Sequence, residues 1–226
     1  METRESASWD AEYRSGRYED DPPVGFVQDI VAAARTLRPD AQGLYVGCGN
    51  GRNYLPLRAA GLHLIGLDIS DVALAALARR SPEDAGHLVH GTVDDLPADR
   101  LFDMVVGIQV FQHGDRATAH AHLRAALRRV RVGGLFCLRV NAVGTDVHPA
   151  HRITERAPDG GFTVEYLEGA KRGLRIHFFS RPELTELLPP TDFAPLLPPR
   201  IHRTHRRPLD RRHTCDGKTG SGGSKR

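Results

Sequence analysis

The chain holds only three cysteines, Cys48, Cys137 and Cys215, in 226 residues. Three thiols cannot all pair within one molecule, which argues against a disulfide scaffold and for reduced cysteines in an intracellular compartment. Nowhere do about 18 consecutive apolar residues occur, so no segment reads as a helix crossing a bilayer. The opening METRESASWDAEYR lacks the apolar centre of a secretory signal, and a cytoplasmic protein is expected.

Charge of one sign is scarce except at one end. From Arg200 onward nine Lys or Arg face only Asp210 and Asp216, a net of +7, which leaves −4 for the first 199 residues of a chain whose formal total is +3. Aromatic residues are absent from that basic stretch, so base stacking is lacking and a nucleic-acid partner is disfavoured. It ends in GKTGSGGSKR, too polar and too rich in glycine to bury itself, and residues 208–226 read as a flexible basic tail. Its GKT lacks the earlier glycine of a phosphate loop.

What remains is an ordinary globular mixture, 40% hydrophobic and 26% charged, sized for one large domain with a core of its own. Apolar runs predict strands at Gly43–Val46, Leu62–Leu67, His87–His90, Phe102–Ile108 and Leu135–Asn141. They lack the alternation of half-exposed strands, as expected when both faces of a parallel sheet are covered. Helical spacing predicts helices over Val24–Leu37, Arg52–Ala60, Asp71–Arg80 and Asp115–Val130 between them. Strand and helix in alternation predict a doubly wound, mostly parallel α/β sheet of about seven strands with helices on both faces.

In the last of those helices Ala119, Leu123, Ala126, Leu127 and Val130 share one face, and Arg116, Arg124, Arg128 and Arg129 read as its solvated side. After Asn141 the alternation stops. Phe162–Leu167 and Leu174–Phe179 predict a hairpin within an insertion over 142–179, followed by a helix at Arg181–Leu188 and weak strands at Phe193–Leu197 and Arg200–Thr204.

The sharpest motif is LYVGCGNGRN, in which a strand leads through Gly47, Gly49 and Gly51 into a helix. Only a backbone without β-carbons turns so tightly and lets a ligand touch it, beside the free N–H groups of a helix start. A dinucleotide fingerprint needs glycine three positions after Gly49, where Arg52 stands, so an NAD-linked dehydrogenase is disfavoured. Asp68 follows the apolar run LHLIGL and precedes Ser70, a candidate helix cap; a carboxylate there can accept both hydroxyls of a ribose.

The ordered set resembles the class I S-adenosylmethionine-dependent methyltransferases over roughly Trp9 to Arg207. GCGNG resembles their cofactor loop, LIGLDIS the strand with the ribose-binding acid, HGTVDDLPADRLFDMVVGIQVFQH the third and fourth strands, and RRVRVGGLFCLRVN the last helix turn and fifth strand. The resemblance implies a Rossmann-like fold, S-adenosylmethionine as cofactor and a small-molecule acceptor. It also implies cofactor-binding roles for Trp9, Gly47, Cys48, Gly49, Asp68, Ile69, Thr92, Val93, Asp94 and Gln109, with the insertion shaping the acceptor pocket. WDAEYRSGRY resembles a lid, so residues 1–22 form a lid helix and 23–207 the methyltransferase domain.

Two positions depart from the family pattern. Tyr45 stands where an acid usually precedes the loop, and Thr92 stands where aspartate usually follows the third strand's glycine, with Asp94 and Asp95 nearby. These departures keep open a protein that binds the cofactor without transferring its methyl; the basic tail keeps open a nucleic-acid methyltransferase. His113, after the fourth strand, is the candidate catalytic base, a neutral imidazole placed to take a proton from an attacking hydroxyl or amine. His148, His151 and His177 read as solvated loop residues. His120 and His122 diverge on their helix and cannot chelate together, so no metal is expected.

Overall fold

A computed structural model describes residues 4–16, 18–147, 150–169, 171–197 and 200. Strands β1 (Gln42–Val46), β2 (His63–Asp68), β3 (Leu88–His90), β4 (Phe102–Ile108) and β5 (Val130–Arg139) form one sheet in the order β3-β2-β1-β4-β5, every neighbouring pair parallel. The strand order reverses between β1 and β4, the place where a crevice opens at the C-terminal ends of such sheets.

Side chains alternate between two cores. On one face Tyr45, Leu64, Met104 and Val106 pack with Val27 and Ile30 of helix α2 (Phe26–Ala34), Leu57 of α3 (Tyr54–Ala59) and Leu77 of α4 (Asp71–Arg80). On the other, Leu44, Val46 and Val105 pack with Ala119, Leu123 and Ala126 of α5 (Arg116–Leu127) and with Leu187 of α6 (Arg181–Leu187). Both faces are therefore covered, which accounts for the uninterrupted apolar strands. Gly107 in β4 has no side chain because the Phe111 ring folds back onto it; a β-carbon there would lie 2.1 Å from that ring.

Local signals stop and start these helices. Ser70 caps α4 by accepting the Ala73 N–H at 3.1 Å, and Asp115 caps α5 by accepting that of Thr118 at 2.9 Å. The first helix, α1 (Arg4–Arg14), lies across the start of α4, tied there by Asp10, whose carboxylate accepts the Ser70 hydroxyl at 2.5 Å.

The sheet has five parallel strands where about seven were expected. The predicted hairpin exists, but its strands, β7 (Phe162–Tyr166) and β8 (Arg175–Phe178), join β6 (His151–Arg156) in a separate antiparallel sheet, order β6-β7-β8. β6 is almost wholly exposed along HRITER, so no hydrophobic pattern announced it. Residues Phe193–Leu197 form no strand, the prolines on both sides supplying no N–H for a ladder. Arg200 is not in a strand; 201–204 and the tail at 208–226 lie outside the described residues.

The arginine face of α5 also differs. Arg129 is buried, donating to the carbonyls of Pro97, Val93 (2.9 Å) and Leu96 (3.1 Å) and closing the turn after β3. Arg116 reaches Glu183 of α6 at 2.9 Å and Asp159 at 2.8 Å. Helix α5 ends at Leu127, and Val130 opens β5 instead of completing the helix face.

Candidate active site

The glycine loop leaves β1 with Gly47 at φ 70° and Gly49 at φ 55°, a left-handed region that side chains rarely enter. Space adds a second reason. A β-carbon on Gly47 would lie 2.6 Å from the Val110 side chain, and one on Gly49 would lie 2.4 Å from the Tyr13 hydroxyl. The Gly47 and Cys48 N–H groups both donate to the Leu67 carbonyl, at 2.7 and 3.1 Å, clasping the loop to the tip of β2.

Asp68 is the last residue of β2, and its carboxylate faces that loop. One oxygen accepts the Gly49 N–H at 2.7 Å and the other the Ser70 N–H at 2.9 Å. Burial raises its pKa above the usual carboxylate value, the backbone N–H groups oppose the shift, and the nearby Asp10 carboxylate adds to it. Cys48 is buried with its sulfur toward Gly66, and burial pushes its thiol pKa up, so only its backbone is available to a ligand. Ile69, half-buried, accepts a hydrogen bond from His90 through its carbonyl at 3.1 Å.

Register brings the next predicted group alongside. Asp68 pairs with His90, and the Gly91 N–H donates to the Asp68 carbonyl at 2.9 Å, so Thr92 to Asp94 start at the neighbouring strand tip. Thr92 is committed to a capping box: its N–H and hydroxyl both donate to Asp95, at 2.7 and 2.8 Å, holding the Asp95 carboxyl below its ordinary pKa. Asp94 is exposed. Val93 turns its side chain into the core, and its carbonyl accepts from Arg129 at 2.9 Å. Tyr45 lies on the face opposite Leu44, buried and edge-on to Tyr54 at 6.1 Å, so it belongs to the α2 and α3 core.

Gln109 caps β4 in the left-handed region, φ 56°, a strained position of the kind that concentrates at binding sites. Its N–H donates to the Arg139 carbonyl at 2.7 Å and its carbonyl accepts Nε2–H of His113 at 3.2 Å. His113 is buried edge-on to Trp9 at 4.9 Å, and its pKa falls to about 3, mainly through burial and then through Lys171. The imidazole is neutral at physiological pH. Lys171 reaches from the β7–β8 turn to lie 4.5 Å above the Trp9 ring.

Beside His113 a cavity of about 480 Å³ opens between α1, the start of α5 and the hairpin, lined among others by Glu5, Asp115, Thr118, Glu165 and Arg175. Arg175 sits between Asp115 (3.6 Å) and Glu165 (3.7 Å). Asp10 and Tyr13 also stand in the lid motif without appearing among the predicted site residues; Tyr13, four residues after Trp9, shares its helix face, whereas Asp10 carries no such signal. His177 is buried, not solvated, and gathers with His120 and Glu183. His151 is half-buried at the start of β6, and His148 lies outside the described residues.

A side-chain-free loop at one strand tip and a carboxylate at the next, meeting beside the point where the strand order reverses, define a nucleoside-binding α/β protein. Residues 44–138, somewhat under half of the chain, match the family described as "Methyltransferase domain". Over 72 residues the chain is 31% identical to the ubiquinone biosynthesis O-methyltransferase of Rickettsia akari, a match covering 31% of this chain and 29% of that protein. The matched stretch thus spans under a third of that relative's length. The fold is similar to the CcbJ methyltransferase from Streptomyces caelestis, with TM-score 0.59, 18% identity, and coverage of 82% of this chain and 86% of the other. It is also similar to a Burkholderia thailandensis 1,6-didemethyltoxoflavin-N1-methyltransferase, with TM-score 0.56, 22% identity, and coverage of 81% and 73%. The sugar N-methyltransferase KedS8 from a Streptoalloteichus species matches with TM-score 0.54, 24% identity, and coverage of 80% and 82%.

Proposed function

We propose that this chain transfers a methyl group from S-adenosylmethionine to a small-molecule acceptor by in-line displacement. The observation that carries the reading is Asp68 held against Gly49 at the strand tips, a carboxylate and a bare backbone within one hydrogen bond of each other. The β-carbons that Gly47 and Gly49 lack would collide with Val110 and Tyr13, so both positions require glycine to hold this loop. The cofactor fits this cradle: Asp68 takes the ribose hydroxyls, the Gly47–Gly51 backbone and Ile69 flank the nucleoside, and Thr92 to Asp94 border the adenine. The cofactor supplies an electrophilic methyl on a sulfonium.

Trp9 and Tyr13 of α1 close over the loop and exclude water, which strengthens the electrostatics of a charged donor. Gln109 presents its strained backbone at the same crevice. His113, with a pKa pushed down to about 3, holds a proton too weakly to serve as an effective base near neutrality. We assign it instead to lining and orienting the acceptor, since displacement gains chiefly from alignment. The acceptor enters the cavity walled by the β7–β8 hairpin. Residues 4–22 act as the lid and the insertion as the acceptor wall. The free buried thiols of Cys48 and Cys137 suit a reducing compartment, and the cytoplasm is the proposed location.

Two measurements test this reading. Calorimetric titration with S-adenosylmethionine and its demethylated product should show both binding. A metabolite screen with a labelled methyl donor should then move label onto a small molecule. Absence of binding by either ligand removes the proposal; binding without transfer to any acceptor favours the non-catalytic reading raised by Tyr45 and Thr92.

A further inference from the structure

Three ligand-bearing side chains from three elements converge at a buried point. His120 of α5, His177 of β8 and Glu183 of α6 are 7%, 1% and 0% exposed, and their nearest nitrogen and oxygen atoms all lie within 4.8 Å of one another. His177 Nε2 stands 3.0 and 3.1 Å from the two Glu183 oxygens, and His120 Nε2 faces Oε1 as well. Phe179 forms an apolar wall, stacked on His120 and edge-on to His177 at 4.8 Å.

Proton counting at His177 leaves a gap that a cation would fill. The Thr163 hydroxyl has one proton and donates it to Glu155 at 3.1 Å, because a carboxylate only accepts. It must then accept from Nδ1–H of His177, 3.0 Å away. A neutral His177 therefore turns the bare lone pair of Nε2 toward a carboxylate. Oε1 of Glu183 is meanwhile approached by Arg116 Nε at 2.9 Å and by two imidazoles, more partners than its lone pairs serve. Protonating both rings would crowd three cations around one buried carboxylate. One divalent ion would instead be held by the lone pairs of both imidazoles.

We propose that His120, His177 and Glu183 bind one divalent transition-metal ion of the zinc class. Two imidazole nitrogens and a carboxylate oxygen form a donor set that zinc takes. Ligands of tetrahedral zinc stand about 3.3 Å apart, near the spacing already present between His177 and Glu183. Outer contacts orient the donors: Thr163 holds Nδ1 of His177, the Ser180 N–H donates to Oε2 of Glu183 at 3.1 Å, and Arg116 bridges Glu183 to Asp159. Glu183, Asp159 and Glu155 against Arg116 leave a formal charge of −2, matched to a divalent ion. The metal is structural. It pins β8 to α5 and α6, and because the His177 N–H donates to the Gln112 carbonyl at 2.8 Å, it sets the position of the chain next to His113.

The test uses the full-length chain, purified without a metal-affinity tag. Elemental analysis after zinc loading and gel filtration should find about one equivalent per chain, and the chelator-stripped protein with Co²⁺ should give a visible d–d absorption band. His120→Ala and His177→Ala, each folded by circular dichroism, should lower the content at least ~10-fold, a loss that even an outer-shell partner's removal typically reaches. His213→Ala with Cys215→Ala, in the basic tail, should keep the metal. Should the ligand variants fail to fold, the wild-type cobalt spectrum decides. A loaded wild type holding no zinc and giving no cobalt band overturns the proposal. So does metal that persists in folded His177→Ala and departs with the tail substitutions.

Discussion

Asp68 accepts the backbone N–H of Gly49 at 2.7 Å, joining two residues 19 apart in the chain, one at the end of β2 and the other in the loop after β1. That single contact turns two weak motifs into one site. A carboxylate at the end of β2 is common, and so is a tight glycine turn; their meeting across the crevice gives each the other as context. Asp68→Ala should weaken binding of S-adenosylmethionine and of its demethylated product by about 1–3 kcal/mol, the range for hydrogen bonds to a charged group. Calorimetry on the folded variant checks this, and unchanged affinity would take Asp68 out of the site.

Gly49→Ala should impair the loop through two separable effects. Its φ of 55° is strained for alanine by about 1–2 kcal/mol, and the new methyl would overlap the Tyr13 hydroxyl, 2.4 Å away. Adding Tyr13→Ala should recover the overlap and not the backbone strain. Melting temperatures and cofactor affinities of the two single variants and the double variant resolve the terms; full recovery in the double variant would contradict the strain argument.

His113 is buried neutral, with its pKa pushed from 6.5 down to about 3. Between those values the unfolded chain binds a proton that the folded chain refuses, so stability falls as pH drops through this window, by at most about 1.4 kcal/mol per pH unit. His113→Gln should flatten that slope in urea unfolding curves. Activity of the wild type should show no inflection from this residue between about pH 6 and 8. An inflection removed by His113→Gln would restore the histidine as a working base.

Asp103, at the start of β4, accepts the Gln42 N–H at 2.9 Å and pairs with Arg38 and Arg131, both at 3.1 Å. These bonds, the Gln42 N–H foremost, hold its carboxyl below the ordinary value. The stabilisation is complete above the unfolded pKa and disappears as pH falls through the lowered folded pKa. Asp103→Asn should lower stability near neutrality by about 1–2 kcal/mol, a common loss for a charge-assisted hydrogen bond. Its effect should vanish in strong acid; equal destabilisation at both pH values would mean the charge is irrelevant.

Much of the parallel sheet could be read from the chain because its strands are short, continuous apolar runs bounded by turn residues. The span Phe102–Ile108 matches the structure end to end, as does the helix Asp71–Arg80. The insertion resisted reading for a physical reason. β6 carries His151, Arg152, Thr154, Glu155 and Arg156 on an open sheet, and nothing in that composition separates a strand from a loop. Arg129 and Arg116 looked solvated because a charge's partners in other elements have no signature in helical spacing. Val93, expected beside the adenine, has its side chain in the core and its carbonyl on Arg129.

The residue order alone determined the wound sheet, the bare loop of Gly47 and Gly49 and the acid at Asp68, because these rest on periodicity and on conformations few residue types adopt. Tertiary structure alone decided which distant groups became neighbours. His120, His177 and Glu183 come from a helix, an inserted strand and a second helix, and their spacing along the chain carries no trace of the pocket they share. Local propensity acts over a few residues, whereas such a meeting depends on how whole elements pack, which no short stretch of chain encodes.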